Sequence, residues 1–165
     1  MKNIVLIGMP GTGKSTVGVL LAKSLLMNFT DTDLIIQQKY NTALQNIIHE
    51  KGIAAFLEIE DSVLATVKAE NSVIATGGSA VYGENAMANL KASGIAVYLD
   101  TPLCELEKRL SNIHTRGVAM KEGTSLSDLF EEREPLYKKY ADITVRCENM
   151  TAEECVDKII DALGI

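Results

Sequence analysis

"GMPGTGKST", residues 8–16, is the stretch on which the fold turns. Gly8, Gly13, Lys14 and Ser15 satisfy G-x-x-x-x-G-K-[ST]. The short apolar run IVLI precedes the motif. After it, Val17, Leu20, Leu21 and Leu25 fall on one face of a predicted helix over residues 14–26. Glycines let a backbone turn tightly and bring N–H groups against phosphate oxygens, and the helix N-terminus adds its positive end. Gly11, Thr12, Gly13, Lys14, Ser15 and Thr16 therefore read as a nucleotide-phosphate cradle. Lys14 would reach the β- and γ-phosphates and Ser15 would offer its hydroxyl to Mg²⁺. The motif alone does not separate a kinase from a GTPase switch or an ATPase module, but the N-K-x-D expected of a GTPase is absent from the sequence.

Four more strands are predicted, at residues 27–31, 72–77, 94–100 and 141–147, with amphipathic stretches between them. Several strands are continuously apolar, as parallel strands covered on both faces tend to be. The alternation predicts a three-layer α/β fold with a mainly parallel sheet, whose ligands bind beyond the carboxyl ends of the strands. Thr101 is expected to cap a helix opening at Pro102, and Asp100 reads as a cap beside them rather than a magnesium carboxylate. Thr151 and Glu154 form a predicted capping box for the last helix. The polar stretch 112–125, with two glycines, reads as a lid or a mobile connector.

The 165 residues suit one domain, with 47% apolar and 23% charged residues. A net charge of −6 argues against a polynucleotide partner. The three cysteines, Cys104, Cys147 and Cys155, make no C-x-x-C pair and read as small buried apolar residues in a reducing compartment. No leader is recognised and no apolar run approaches the roughly 20 residues of a membrane span, so a cytoplasmic chain without membrane attachment is expected.

"FTDTD" ends the second predicted strand with Asp31 and Asp33. Residues two apart in extended chain face the same way, so both carboxylates would point to one site, one toward Mg²⁺ and one toward an acceptor hydroxyl. Asp33 equally suits a cap for the following helix. Gly77 and Gly78 follow the third strand, where they permit either close approach of a small substrate or a tight turn.

Taken in order, "GMPGTGKSTVG", "FTDTDLII", "FLEIE", "VIATGG" and "EEREPLY" resemble shikimate kinase, a small P-loop kinase, over nearly the whole chain. The resemblance implies a five-stranded parallel sheet flanked by helices, a lid at about 112–125 and an acceptor-binding helical region at about 33–61. It also implies transfer of the ATP γ-phosphoryl group to a ring hydroxyl of shikimate, and the expectation is a monomeric, Mg²⁺- and ATP-dependent small-molecule kinase. Carried onto this chain, Lys14, Asp33 and Arg116 become the catalytic set, with Asp33 the candidate base and Arg116 closing from the lid. Ser15 and Asp31 hold Mg²⁺. Arg109 stacks on adenine, although an ion pair with Glu105 explains it as well. Asp33, Glu60, Gly77, Gly78, Ser79 and Arg133 line the acceptor site. Outside the resemblance, Arg116 reads as an exposed loop charge and Arg133 as a helix-surface partner of Glu132 or Glu134.

Three departures fall on the acceptor side. The family's G-E-x-x-F-R reads here with Ile53 for the glutamate and Leu57 for the arginine that grips the shikimate carboxylate. Its triple glycine ends in Ser79, and Gly117 stands where proline usually follows the lid arginine. Leucine offers no bidentate contact to a carboxylate. Three outcomes fit: shikimate is still used, another small hydroxylated metabolite replaces it, or the chain is a nucleotide-binding module without acceptor turnover.

Overall fold

In the computed structural model, which describes residues 2–110 and 117–165, five parallel strands form one sheet in the order β2-β3-β1-β4-β5. They are β1 (Asn3–Ile7), β2 (Asn28–Asp31), β3 (Ser72–Ala75), β4 (Gly94–Asp100) and β5 (Ile143–Arg146). All five lie where the sequence places them. β1 is central and buried throughout, pairing with β3 through Ile4↔Val73, Val5↔Ile74 and Leu6↔Ala75, and with β4 on its other side.

The period of two along β1 builds two cores. Ile4 and Leu6 face α1 (Lys14–Leu25) and α8 (Ala152–Leu163), packing with Val17, Leu21, Val156 and Ile159. Val5 and Ile7 face the opposite layer, made by α2 (Thr32–Tyr40), α3 (Leu44–Lys51), α4 (Ile53–Leu64), α5 (Glu84–Ser93) and α7 (Leu126–Tyr140). Each buried aliphatic side chain contributes about 1.5–3 kcal/mol, so the apolar strands are stable only when both layers are in place. Helix α6 (Leu103–Arg109) and a 3-10 turn at Ala80–Tyr82 complete the described elements.

Local chemistry sets the helix ends. α1 starts from Gly13 at φ 86, a left-handed conformation that glycine adopts without strain. α8 carries the expected Thr151–Glu154 capping box. Thr101 does not cap α6. Pro102 is the flanking residue, its carbonyl accepting from Glu105 N (3.0 Å) and Leu106 N (3.1 Å), while the Thr101 hydroxyl is buried without a hydrogen-bond partner among the described residues. Asp100 is no cap either: its Oδ2 accepts from Arg146 Nη1 at 2.9 Å, tying β4 to β5. Cys104 is exposed, contrary to expectation, whereas Cys147 and Cys155 are buried with their sulfurs 2.7 Å apart. Among the described residues no helix is long and apolar enough to cross a membrane.

Strand order reverses direction about β1, because β3 lies on one side of it and β4 on the other. The carboxyl ends of β1, β2 and β3 lead into the glycine loop, Asp31 and Thr76–Ser79 respectively. A crevice at this switch point is where α/β sheets hold ligands.

Candidate active site

The crevice is a cavity of about 580 Å³. Its phosphate side is lined by Pro10, Gly11, Gly13, Lys14, Ser15, Thr16 and Arg109, and its far side by Asp33, Glu60, Gly77, Gly78, Ser79 and Arg133. Leu44, Phe56, Thr76, Gly117, Val118 and Ala119 complete the wall. The sequence-predicted residues within the described chain therefore gather around one space, with two lying at its margin. Thr12 is buried behind the loop, and Asp31 meets the site through Ser15. Arg116 lies outside the described residues.

Lys14 is 7% exposed and donates from Nζ to Gly8 O (2.7 Å) and Met9 O (2.8 Å). Burial pushes its ammonium down to about 8, opposed by the negative charge of Asp33. The two carbonyls hold the lysine folded over the loop whose amides it shares a cavity with.

Asp31 ends β2 and is the residue that caps α2. Its Oδ1 accepts from Asp33 N at 2.9 Å, and its Oδ2 accepts from Ser15 Oγ at 2.7 Å. This corrects the alternation argument. Asp33 stands in the first turn of α2, not on the strand, and it reaches the site because Asp31 begins the helix there. The capping alternative raised for Asp33 belongs to Asp31. Asp33 Oδ1 is buried without a hydrogen-bond partner among the described residues. Burial, then the Asp31 charge, pushes its carboxyl up to about 6.

Gly77 and Gly78 serve close approach rather than positive φ. A Cβ on Gly77 would sit 2.7 Å from Asp33 Oδ1 and 3.0 Å from Glu60 Oε2. A Cβ on Gly78 would meet Pro10 Cδ at 2.7 Å. Ser79, at the family's third glycine, donates from Oγ to Glu60 Oε1 at 2.6 Å. Glu60 is 2% exposed, and burial pushes its carboxyl up to about 7.

Arg133 is no surface residue. At 1% exposure it donates from Nη2 to Ala119 O (2.6 Å) and from Nε to Tyr82 Oη (3.3 Å), with the Tyr82 ring 5.3 Å beneath its guanidinium. Ala119 belongs to the described part of the predicted lid, so Arg133 ties that segment to α7 on the cavity wall. Arg109 makes the ion pair with Glu105, at 3.1 Å, and donates to Gly11 O at 3.2 Å on the cavity wall. Leu57 is absent from the wall and, half-buried, packs against the core.

Sequence reasoning missed Phe56, Thr76, Tyr82 and Tyr137. Thr76 Oγ1 donates to Leu6 O at 2.8 Å, and the Tyr137 hydroxyl donates to Gly78 O at 2.6 Å, together fixing the glycine turn. The tyrosine of "EREPLY" was visible as part of a motif, but its partner across the sheet was not.

A family profile described as Shikimate kinase matches residues 10–164. Among curated relatives, shikimate kinase of Sulfurihydrogenibium sp. (strain YO3AOP1) is 36% identical over 161 residues, covering 97% of this chain and 96% of that protein. Human threonine synthase-like 1 is 38% identical over 165 residues, 98% of this chain, but the match spans only 22% of that longer protein. Among solved structures, shikimate kinase from Acinetobacter baumannii in complex with shikimate superposes with a TM-score of 0.88 at 33% identity, covering 99% of this chain and 93% of that one. With the profile spanning residues 10–164 and a relative 36% identical along nearly its whole length, the chain belongs to the shikimate kinase family.

Proposed function

We propose that the protein is an ATP-dependent kinase that phosphorylates a hydroxyl of a small metabolite. The observation that carries this reading is that Asp33 shares one cavity with Lys14 and the glycine loop. A module that only bound nucleotide would have no use for an unpartnered carboxylate at that place. The acceptor oxygen would form a bond to the γ-phosphorus while the bond to the β-phosphate bridging oxygen breaks. The electron pair leaves with ADP, and the hydroxyl proton passes to Asp33. Catalysis of this kind rests on positioning and charge neutralisation, not on a covalent enzyme intermediate.

Ser15 and Asp31 offer hard oxygens side by side at the loop, a donor set suited to Mg²⁺, which takes few protein ligands beside phosphates. Bound there, Mg²⁺ would neutralise phosphate charge. Lys14 would turn from the Gly8 and Met9 carbonyls toward phosphate oxygens. Arg116 is assigned to the lid over the transferring group and Arg109 to the adenine side, both by family membership.

Shikimate is the acceptor that membership brings forward. A second reading, a different hydroxylated metabolite, is favoured by Leu57, which leaves the wall without the family's carboxylate-gripping arginine. The threonine synthase-like relatives, in which this region is a small part of a longer chain, also leave the acceptor open.

The test is a coupled ADP-release assay with shikimate and a panel of small hydroxylated metabolites, on the protein and on Asp33→Asn. Acceptor-stimulated release that falls about 10²–10⁴-fold in kcat for the variant, with ATP affinity kept, supports the reading. ATP binding with no acceptor-stimulated release by the unaltered protein refutes it in favour of a nucleotide-binding module.

A further inference from the structure

We propose that Glu60 binds the ammonium group of an amino alcohol whose reacting hydroxyl is held by Asp33. This rests on the kinase reading above and names the acceptor's chemical class. Glu60 is fully enclosed, and only one of its oxygens is used: Oε1 accepts from Ser79, while Oε2 is buried with no hydrogen-bond partner among the described residues. Asp33 Oδ1 is in the same condition. Both oxygens lie within 3.0 Å of a single point, the place of a Cβ on Gly77. The two oxygens are therefore close enough together for one small ligand to engage both with its own polar atoms.

The charge of this corner selects the ligand. Among the described residues no cation stands within ion-pair distance of either carboxylate. Lys14 is committed to two carbonyls, and Arg133 to Ala119 O and the Tyr82 hydroxyl. Position 57, one helical turn before Glu60 on the same face of α4, is an apolar leucine. A buried carboxylate without a direct ion pair is costly, and a ligand that brings one relieves the cost. An ammonium group supplies both the charge and several N–H donors. A neutral polyol supplies donors alone, and an anionic acceptor adds like charge.

The closeness of the two oxygens favours a ligand whose nitrogen and oxygen stand near each other. Nitrogen on Glu60 and oxygen on Asp33 correspond to a 1,2- or 1,3-amino alcohol. Arg133 Nη1 stands near Gly78, 3.1 Å from where a Cβ there would be. Hydroxy amino acids are thus the members of the class that also present an anion to this guanidinium. Burial pushes the Glu60 carboxyl up to about 7, the Ser79 hydrogen bond and the charge of Arg133 opposing it only in part, and a bound ammonium would hold it ionised.

Matched pairs differing only in ammonium against hydroxyl test this: L-homoserine with 2,4-dihydroxybutyrate, and glucosamine with glucose, with shikimate as the anionic control. Calorimetric titration of the full chain with a non-hydrolysable ATP analogue reads binding, and ADP release reads turnover. At least one amine member is expected to bind ten-fold or more tighter than its hydroxyl twin, and Glu60→Gln is expected to erase that difference. Should the variant fail to fold, the unaltered protein is titrated from pH 6 to 8. There the preference should grow as Glu60, faced by Asp33, Asp61 and Arg133, ionises through about 7. Equal or absent binding of the amine members, preference for shikimate, or a preference that survives Glu60→Gln overturns the inference. Amine-selective binding without acceptor-stimulated ADP release leaves the subsite standing and removes the kinase reading. Turnover confined to shikimate or polyols does the reverse.

Discussion

Glu60→Gln gives a stability difference whose size and sign follow from the structure. The side chain is 2% exposed, and its carboxyl rises from 4.5 to about 7, with burial the largest cause and the Ser79 hydrogen bond and Arg133 opposing it. A carboxyl raised on folding contributes stability that is fully present below the unfolded value and is lost as pH climbs through the folded one. Converted at about 1.4 kcal/mol per pH unit, the loss between pH 4.5 and pH 7 is about 3 kcal/mol. Glutamine keeps the shape and can still accept from Ser79 Oγ, but it does not titrate. Other titrating groups are common to both proteins and largely cancel in the difference. Urea unfolding of both, followed by circular dichroism from pH 4 to 8, should show the variant gaining on the parent by about 3 kcal/mol as pH rises. A constant difference across that range would mean that Glu60 is charged and solvated in the folded protein. A variant that loses ground as pH rises would mean that a cation already pairs with it. Either result refutes the unpaired-carboxylate reasoning.

Two further substitutions probe the same wall. Gly77→Ala places a methyl 2.7 Å from Asp33 Oδ1 and 3.0 Å from Glu60 Oε2, so acceptor KM should rise at least about ten-fold with ATP affinity kept; unchanged KM in steady-state kinetics would contradict the close approach. Leu57→Arg sets a guanidinium one turn from Glu60 on α4. It should lower KM for shikimate by about ten- to a hundred-fold and abolish any preference for amine-bearing acceptors, and kinetic constants unchanged for both classes would rule out the missing cation as the determinant.

Legibility followed the range of the interactions. The phosphate loop was readable because its glycines, lysine and serine act within one turn of chain, between a strand and a helix that also announce themselves locally. Strand positions were readable because burial on both faces demands continuous apolar runs. Asp33 was found by the wrong route: strand alternation suggested its orientation, but the Asp31 side chain starts α2 and turns Asp33 inward. Thr101 failed as a cap because Pro102 is extended, with φ −58 and ψ 144, and takes the capping place itself.

By itself the sequence determined the phosphate chemistry, the parallel α/β architecture and the family, since each is written in short-range patterns of glycine, charge and hydrophobicity. Only the tertiary structure decided the state of the cavity wall opposite the glycine loop. Ser79 and Glu60 are distant in the chain yet joined by a hydrogen bond, Arg133 is buried by Ala119 and Tyr82, and Leu57, half-buried, packs against the core and stays off the cavity wall. The physical reason is that a buried charge is governed by the neighbours that replace its water, and those neighbours come from elements that meet only when the two layers close on the sheet.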